Sequence, residues 1–136
     1  MIQTLVLKTI KELASKHSDI DVVWLYGSRT GDNYNDNSDF DLAIAFKNFD
    51  LSSTDKYLRP NELAIEWTEK LVLPQNKISL VDINLVPVYL SFNIVEYGEI
   101  IYQTETLRAY REQNRIYSQY EFQMIENKIS ESTTAG

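Results

Sequence analysis

The sequence contains no cysteine, and one of its 136 residues is histidine. The first absence excludes a disulfide framework, cysteine-ligated zinc, iron–sulfur clusters and thiol chemistry, and it fits a reducing compartment. The second excludes a multi-histidine metal site within one chain and argues against a His-based triad. Basic residues are also scarce. Thirteen Lys and Arg stand against 20 Asp and Glu, a formal charge of −7, which argues against DNA or RNA as the main ligand. A nucleotide stays open, because a metal ion can mediate between carboxylates and phosphates. No apolar run approaches the ~20 residues of a membrane span. The first residues interleave Lys and Glu with apolar groups, unlike a signal peptide. The expectation is a soluble, cytoplasmic protein with no nucleic-acid or membrane partner. With 43% hydrophobic residues, a chain of this length can bury roughly two-thirds of its unfolded surface, so one domain folds without disulfides or a structural metal.

Hydrophobic periodicity divides the chain. Ile2, Leu5, Val6, Ile10, Leu13 and Ala14 recur at helical spacing and predict a helix over Ile2 to His17. His17 then serves as a partner for the helix C-terminus rather than a ligand. Val22 to Tyr26 reads as a buried strand that Gly27-Ser28 ends abruptly, and Arg29 to Ser38 is a polar turn or short helix plus loop. Phe40, Leu42, Ile44 and Phe46 alternate with Asp39, Asp41, Ala43 and Ala45, giving a strand with one bulky face and one that opens on two carboxylates. Lys47 to Lys56 reads as a connection and Pro60 as a first helical position, with Pro74-Gln75-Asn76 closing that helix. Ile78 to Leu85 is a third strand, Pro87 to Tyr97 a helix capped by Gly98, and Glu99 to Tyr102 a short fourth strand. A long helix runs from Thr104 to about Ser130. The fold class is mixed α/β (α+β), one domain over 1–130 with a flexible tail over 131–136. Trp24 and Trp67 read as core residues.

Three features carry chemistry. Gly27-Ser28 after a buried strand lets a phosphate approach the backbone, with outward N–H groups and a hydroxyl to receive it. Asp39 and Asp41 share a strand face about 7 Å apart, near enough for their oxygens to converge on one or two cations. Asp82 is a lone carboxylate in an apolar strand, a costly placement unless it is solvated, paired or metal-bound. If its strand neighbours the Asp39/Asp41 strand, three carboxylates meet and can hold two Mg²⁺ ions against a nucleoside triphosphate. Arg29 either reaches that triphosphate or pairs with Asp32 or Asp36 as a solvated loop residue.

The segment from Trp24 through Arg29 and from Ser38 through Leu42, with its Gly-Ser-x₁₀-Asp-x-Asp spacing, resembles the signature of the minimal nucleotidyltransferases (MNT) of the DNA polymerase β-like superfamily. It is most similar to the MNT proteins encoded beside HEPN-domain toxins. The resemblance implies a small mixed β-sheet flanked by helices, Mg²⁺ (two ions) with ATP as co-substrate, and AMP transfer to a hydroxyl. Gly27 and Ser28 would hold the triphosphate, Asp39 and Asp41 would bind metal, and Asp82 would be third ligand and base. The chain departs from the pattern at Gly31, where such proteins often carry a further Arg.

The last helix bears a stripe of Leu107, Tyr110, Tyr117, Tyr120 and Met124 and another of Phe122, Ile125 and Ile129. It is either a core-docking helix or a partner surface, and Tyr and Met enrichment suits an interface. The leading expectation is an antitoxin that adenylylates a tyrosine of a HEPN ribonuclease toxin and forms a hetero-oligomer with it. The alternatives are transfer to a small molecule such as an aminoglycoside, or a non-catalytic antitoxin that acts by binding.

Overall fold

The computed structural model describes residues 2–31, 34–73 and 77–135. Their elements run α1 (Ile2–Ser15), β1 (Ile20–Tyr26), a 3₁₀ turn (Gly27–Thr30), β2 (Phe40–Phe46), α2 (Ser53–Leu71), β3 (Ile78–Asp82), α3 (Val88–Tyr97), β4 (Glu99–Gln103) and α4 (Thr106–Ala135). The strands form one mixed sheet in the order β3-β2-β1-β4. β1 is antiparallel to both of its neighbours, whereas β3 runs parallel to β2. A parallel pair needs a crossover, and α2 supplies it.

Both sheet faces are covered. The bulky side chains Phe40, Leu42, Ile44 and Phe46 point to one face, where Val6, Ile10 and Ala14 of α1 and Leu63, Ala64 and Trp67 of α2 meet them. The other face carries Val22, Trp24, Ala43 and Ala45, packed by Ile94 of α3 and Ala109 and Ile116 of α4. Period-two alternation therefore separates two apolar layers. Trp24 and Trp67 are core residues, as expected.

Several boundaries differ from the sequence reading, each for a local reason. α2 begins seven residues before Pro60, because the Ser52 hydroxyl accepts from the Asp55 N–H at 3.1 Å and caps the helix. Such a cap stabilises by about 1 kcal/mol and offsets part of the cost of the interior proline. The helix stops at Val72, which is left-handed at φ 53°, with Leu73 N–H returned to Thr68 O. The expected stop at Pro74 to Asn76 lies outside the described residues. Gly98 follows α3 without a positive φ. Its role is close approach, since a Cβ there would collide with Ile94 O and come within 2.9 Å of Leu25 O. α4 continues as helix to Ala135 rather than ending near Ser130. His17 closes the turn after α1, its Nδ1 accepting the Asp19 N–H at 3.2 Å.

Candidate active site

β1 delivers the chain to the centre of the sheet and ends there in a sharp turn. Gly27 has φ +77°, and a Cβ at this position would fall onto the Asp41 carboxylate. Left-handed backbone and lack of space thus both demand glycine. The 3₁₀ turn that follows is fastened by the Thr30 hydroxyl, which donates to Gly27 O at 2.7 Å. Ser28 is exposed on it.

β2 returns antiparallel to β1 and brings Asp39 and Asp41 beside that turn. Register places Asp41 abreast of Tyr26 on β1 and Ser79 on β3. Asp39 is exposed and Asp41 half-buried. Burial, and secondarily the Asp39 charge, push the Asp41 carboxyl above its usual range. Burial and the Asp41 charge likewise push the Tyr26 phenol up to about 12, so it stays neutral. Among the described residues no Lys or Arg forms an ion pair with either aspartate. Two uncompensated carboxylates beside a close-packed glycine turn fit a hard divalent cation, because Mg²⁺ is commonly bound by one or two carboxylates plus substrate phosphates.

The third carboxylate does not join them. β3 does neighbour β2, but Asp82 stands in register with Ile44, on the face of the large core residues, whereas Asp41 stands in register with Ser79. Successive strand side chains alternate, so the three-residue offset from Ser79 to Asp82 reverses the face. Asp82 is 5% exposed and is engaged elsewhere: Arg59 Nη2 lies at 3.4 Å, and its Oδ1 accepts the Asn84 N–H at 2.8 Å. Burial raises its pKa, while the Asn84 bond and Arg59 draw it down. Among the described residues no group of three His, Asp or Glu forms a metal cluster.

Asp82 belongs instead to a buried ionic network at the far end of the sheet. Arg59 of α2 bridges it to Asp19 at 2.9 Å and lies over the Phe46 ring at 4.0 Å. Beside it, Arg108 of α4 binds Asp21, Glu112 and Phe46 O, and its Nη2 donates to the Asn84 side chain. Arg115 completes the group on Glu112. The network ties α2 and α4 to the starts of β1 and the ends of β2 and β3.

Arg29 is not a solvated loop residue, and among the described residues it pairs with no Asp; Asp32 lies outside them. It is buried, with Nε donating to Ser38 O at 2.9 Å, Nη1 to Gln3 Oε1 at 3.0 Å, and its guanidinium 3.9 Å above the Phe40 ring. It fastens the loop that carries the chain from the glycine turn to Asp39. Two neighbours of the carboxylates escaped the sequence reading. In the sequence Tyr26 reads only as part of a buried strand, and Ser79 carries no charge to mark it. The β2–β3 register, which sets Asp41 against Ser79, is what singles it out.

The fold and the carboxylate pair define a nucleotidyl-transfer domain. Residues 8–107 match the family described as polymerase beta, nucleotidyltransferase, and the chain belongs to it. No curated protein sequence matches. Among solved structures, the chain is similar to the MNT antitoxin in complex with the tri-AMPylated Shewanella oneidensis HEPN toxin, at 20% identity, TM-score 0.67 and 100% of both chains. It is also similar to a toxin–antitoxin structure with AMP-PNP, at 21% identity, TM-score 0.70 and 96% and 98% of the two chains. The MntA–HepT toxin–antitoxin structure gives 20% identity, TM-score 0.66 and 98% and 99% coverage. At these identities the likeness is one of fold, and it spans the whole chain.

Proposed function

We propose that this protein is an antitoxin that transfers AMP from ATP to a tyrosine hydroxyl of a cognate HEPN toxin. The observation that carries the reading is the Gly27 turn packed against Asp41, with Asp39 beside it and, among the described residues, no Lys or Arg ion-paired with either carboxylate. In the reaction the acceptor oxygen bonds to the α-phosphorus while the bond to the bridging oxygen breaks. Pyrophosphate leaves and the hydroxyl proton passes to solvent. The protein's share is positioning and charge, which suits so small a site. Gly27 and Ser28 receive the triphosphate, and Asp39 and Asp41 hold Mg²⁺. When bound, that ion neutralises phosphate charge and activates the phosphorus towards attack. With Asp82 elsewhere, a two-ion arrangement rests on Asp39, Asp41 and the phosphates.

Relatives of the same fold support the partner and the chemistry, since one is complexed with a tri-AMPylated HEPN toxin and another with AMP-PNP. The far half of α4 exposes Phe122, Met124 and Ile125, a surface for the toxin in the hetero-oligomer. No helix of the described residues is long and apolar enough to cross a membrane, in keeping with a cytoplasmic pair. The test is mass spectrometry of the neighbouring gene's product after incubation with this protein, ATP and Mg²⁺. A gain of one or more AMP units is expected. An unmodified product bound in a tight complex would replace transfer with neutralisation by binding.

A further inference from the structure

We propose that the acceptor segment of the partner reaches the carboxylates through an open recess at the β3 edge of the sheet, pairing its extended main chain with β3. The inference rests on the nucleotidyl-transfer reading and names the acceptor side of the same site. The recess, about 330 Å³, is lined by Asp39, Asn61, Ala64, Ile78, Ser79 and Leu80.

Strand order fixes the direction of approach. In the sequence β3-β2-β1-β4, the Gly27 turn ends β1 on one side of the β2 carboxylates, and the recess opens on the other. An in-line displacement places the attacking and leaving oxygens on opposite sides of the phosphorus. If the turn holds the departing pyrophosphate, the acceptor arrives from the β3 side.

The edge itself is built to receive a chain. Phe40 N–H donates to Lys77 O at 2.8 Å and Ile83 N–H to Ile44 O at 3.0 Å, so the odd-numbered residues of β3 direct their main chain towards β2. Leu80 therefore turns its N–H and C=O outward, and among the described residues neither has a hydrogen-bond partner. Extended peptides add to such edges. A segment paired there lies about 9.5 Å from β2, two strand spacings, and alternate side chains of it stand on the same sheet face as Asp41. Ser79, abreast of Asp41, is small enough to leave the path open.

Asn61 is exposed on α2, so Asn61→Arg fills the recess without touching the core. With the cognate toxin as acceptor, this variant should raise the KM for toxin about tenfold while AMP-PNP affinity stays within about twofold of wild type. In the complex the Leu80 amide should gain protection from hydrogen exchange. Modification of the toxin by Asn61→Arg as efficient as by wild type would overturn the recess, and so would a parallel loss of AMP-PNP affinity. A toxin left unmodified by the wild-type protein would instead overturn the transfer reading beneath it.

Discussion

Gly27 and Asp41 are mutually dependent: the backbone of the first, at φ +77°, occupies space against the carboxylate of the second that no side chain can share. Gly27→Ala should therefore act twice. Left-handed backbone costs about 1–2 kcal/mol for an L-residue, and the new methyl displaces Asp41. A lowered melting temperature together with a large loss of AMP-PNP affinity is expected from calorimetry. Wild-type affinity in a destabilised variant would separate the turn from the nucleotide site.

Asp39→Asn with Asp41→Asn should abolish transfer and Mg²⁺-dependent AMP-PNP binding without harming the fold. Burial and mutual repulsion raise the Asp41 pKa, so its charged form is a burden when no cation is present. In EDTA the double variant should melt at or above the wild-type temperature. A clear fall in that temperature would mark the pair as structural.

Asp82→Asn should leave Mg²⁺ and nucleotide binding near wild type. Its carboxylate faces Arg59 across the sheet from Asp41, so the cost falls on stability. Losing one partner of a buried charge-assisted contact typically costs about 1–3 kcal/mol, with Asp19 still compensating Arg59 here. Chemical denaturation measures that loss, and a collapse in Mg²⁺ affinity at full stability would return Asp82 to the site.

Acid should loosen the α4 anchor. Burial pushes the Glu112 carboxyl up, but hydrogen bonds from Asn84, Arg115 and Arg108 outweigh it and hold the group below its usual 4.5. A depressed carboxylate contributes stability that is fully present above the unfolded value and is lost as pH falls through the folded one. Stability should drop below about pH 4.5, and Glu112→Gln should lower the plateau and flatten that drop. Asp41 and Asp82, with raised values, act in the opposite sense and temper the slope.

Removing residues 125–136 should weaken toxin binding more than AMP-PNP binding. The proximal half of α4 is committed to the fold: Ile116 is fully buried and Tyr120 stacks on Phe92 at 3.8 Å. A cut after Met124 spares both. Unchanged toxin affinity, measured by titration calorimetry, would leave the last turns of this helix out of the interface.

The elements that local pattern specifies were legible without coordinates. Alternation gave β2 and its two carboxylates on one face. A glycine after a buried strand gave the turn, and 3.6-residue periodicity gave α1 and most of α4. Where one local signal competed with another, the reading slipped. Pro60 suggests a helix start, but the Ser52 cap lies eight residues upstream of the element's tolerated proline. For Asp82, charge in an apolar run outweighed parity, although Ile78 and Leu80, four and two residues before it, already occupied the core face.

The sequence by itself determined which strand ends carry the glycine turn and the aspartate pair, because backbone freedom and side-chain alternation are properties of a few adjacent residues. Only the tertiary structure decided which charges meet. Arg59 and Asp82 are 23 residues apart, Arg108 and Asp21 are 87, and Arg29 reaches back 26 to Gln3. Those pairings depend on how helices cross the sheet. The crossing follows from the packing of two buried faces, and no single stretch of chain contains that information.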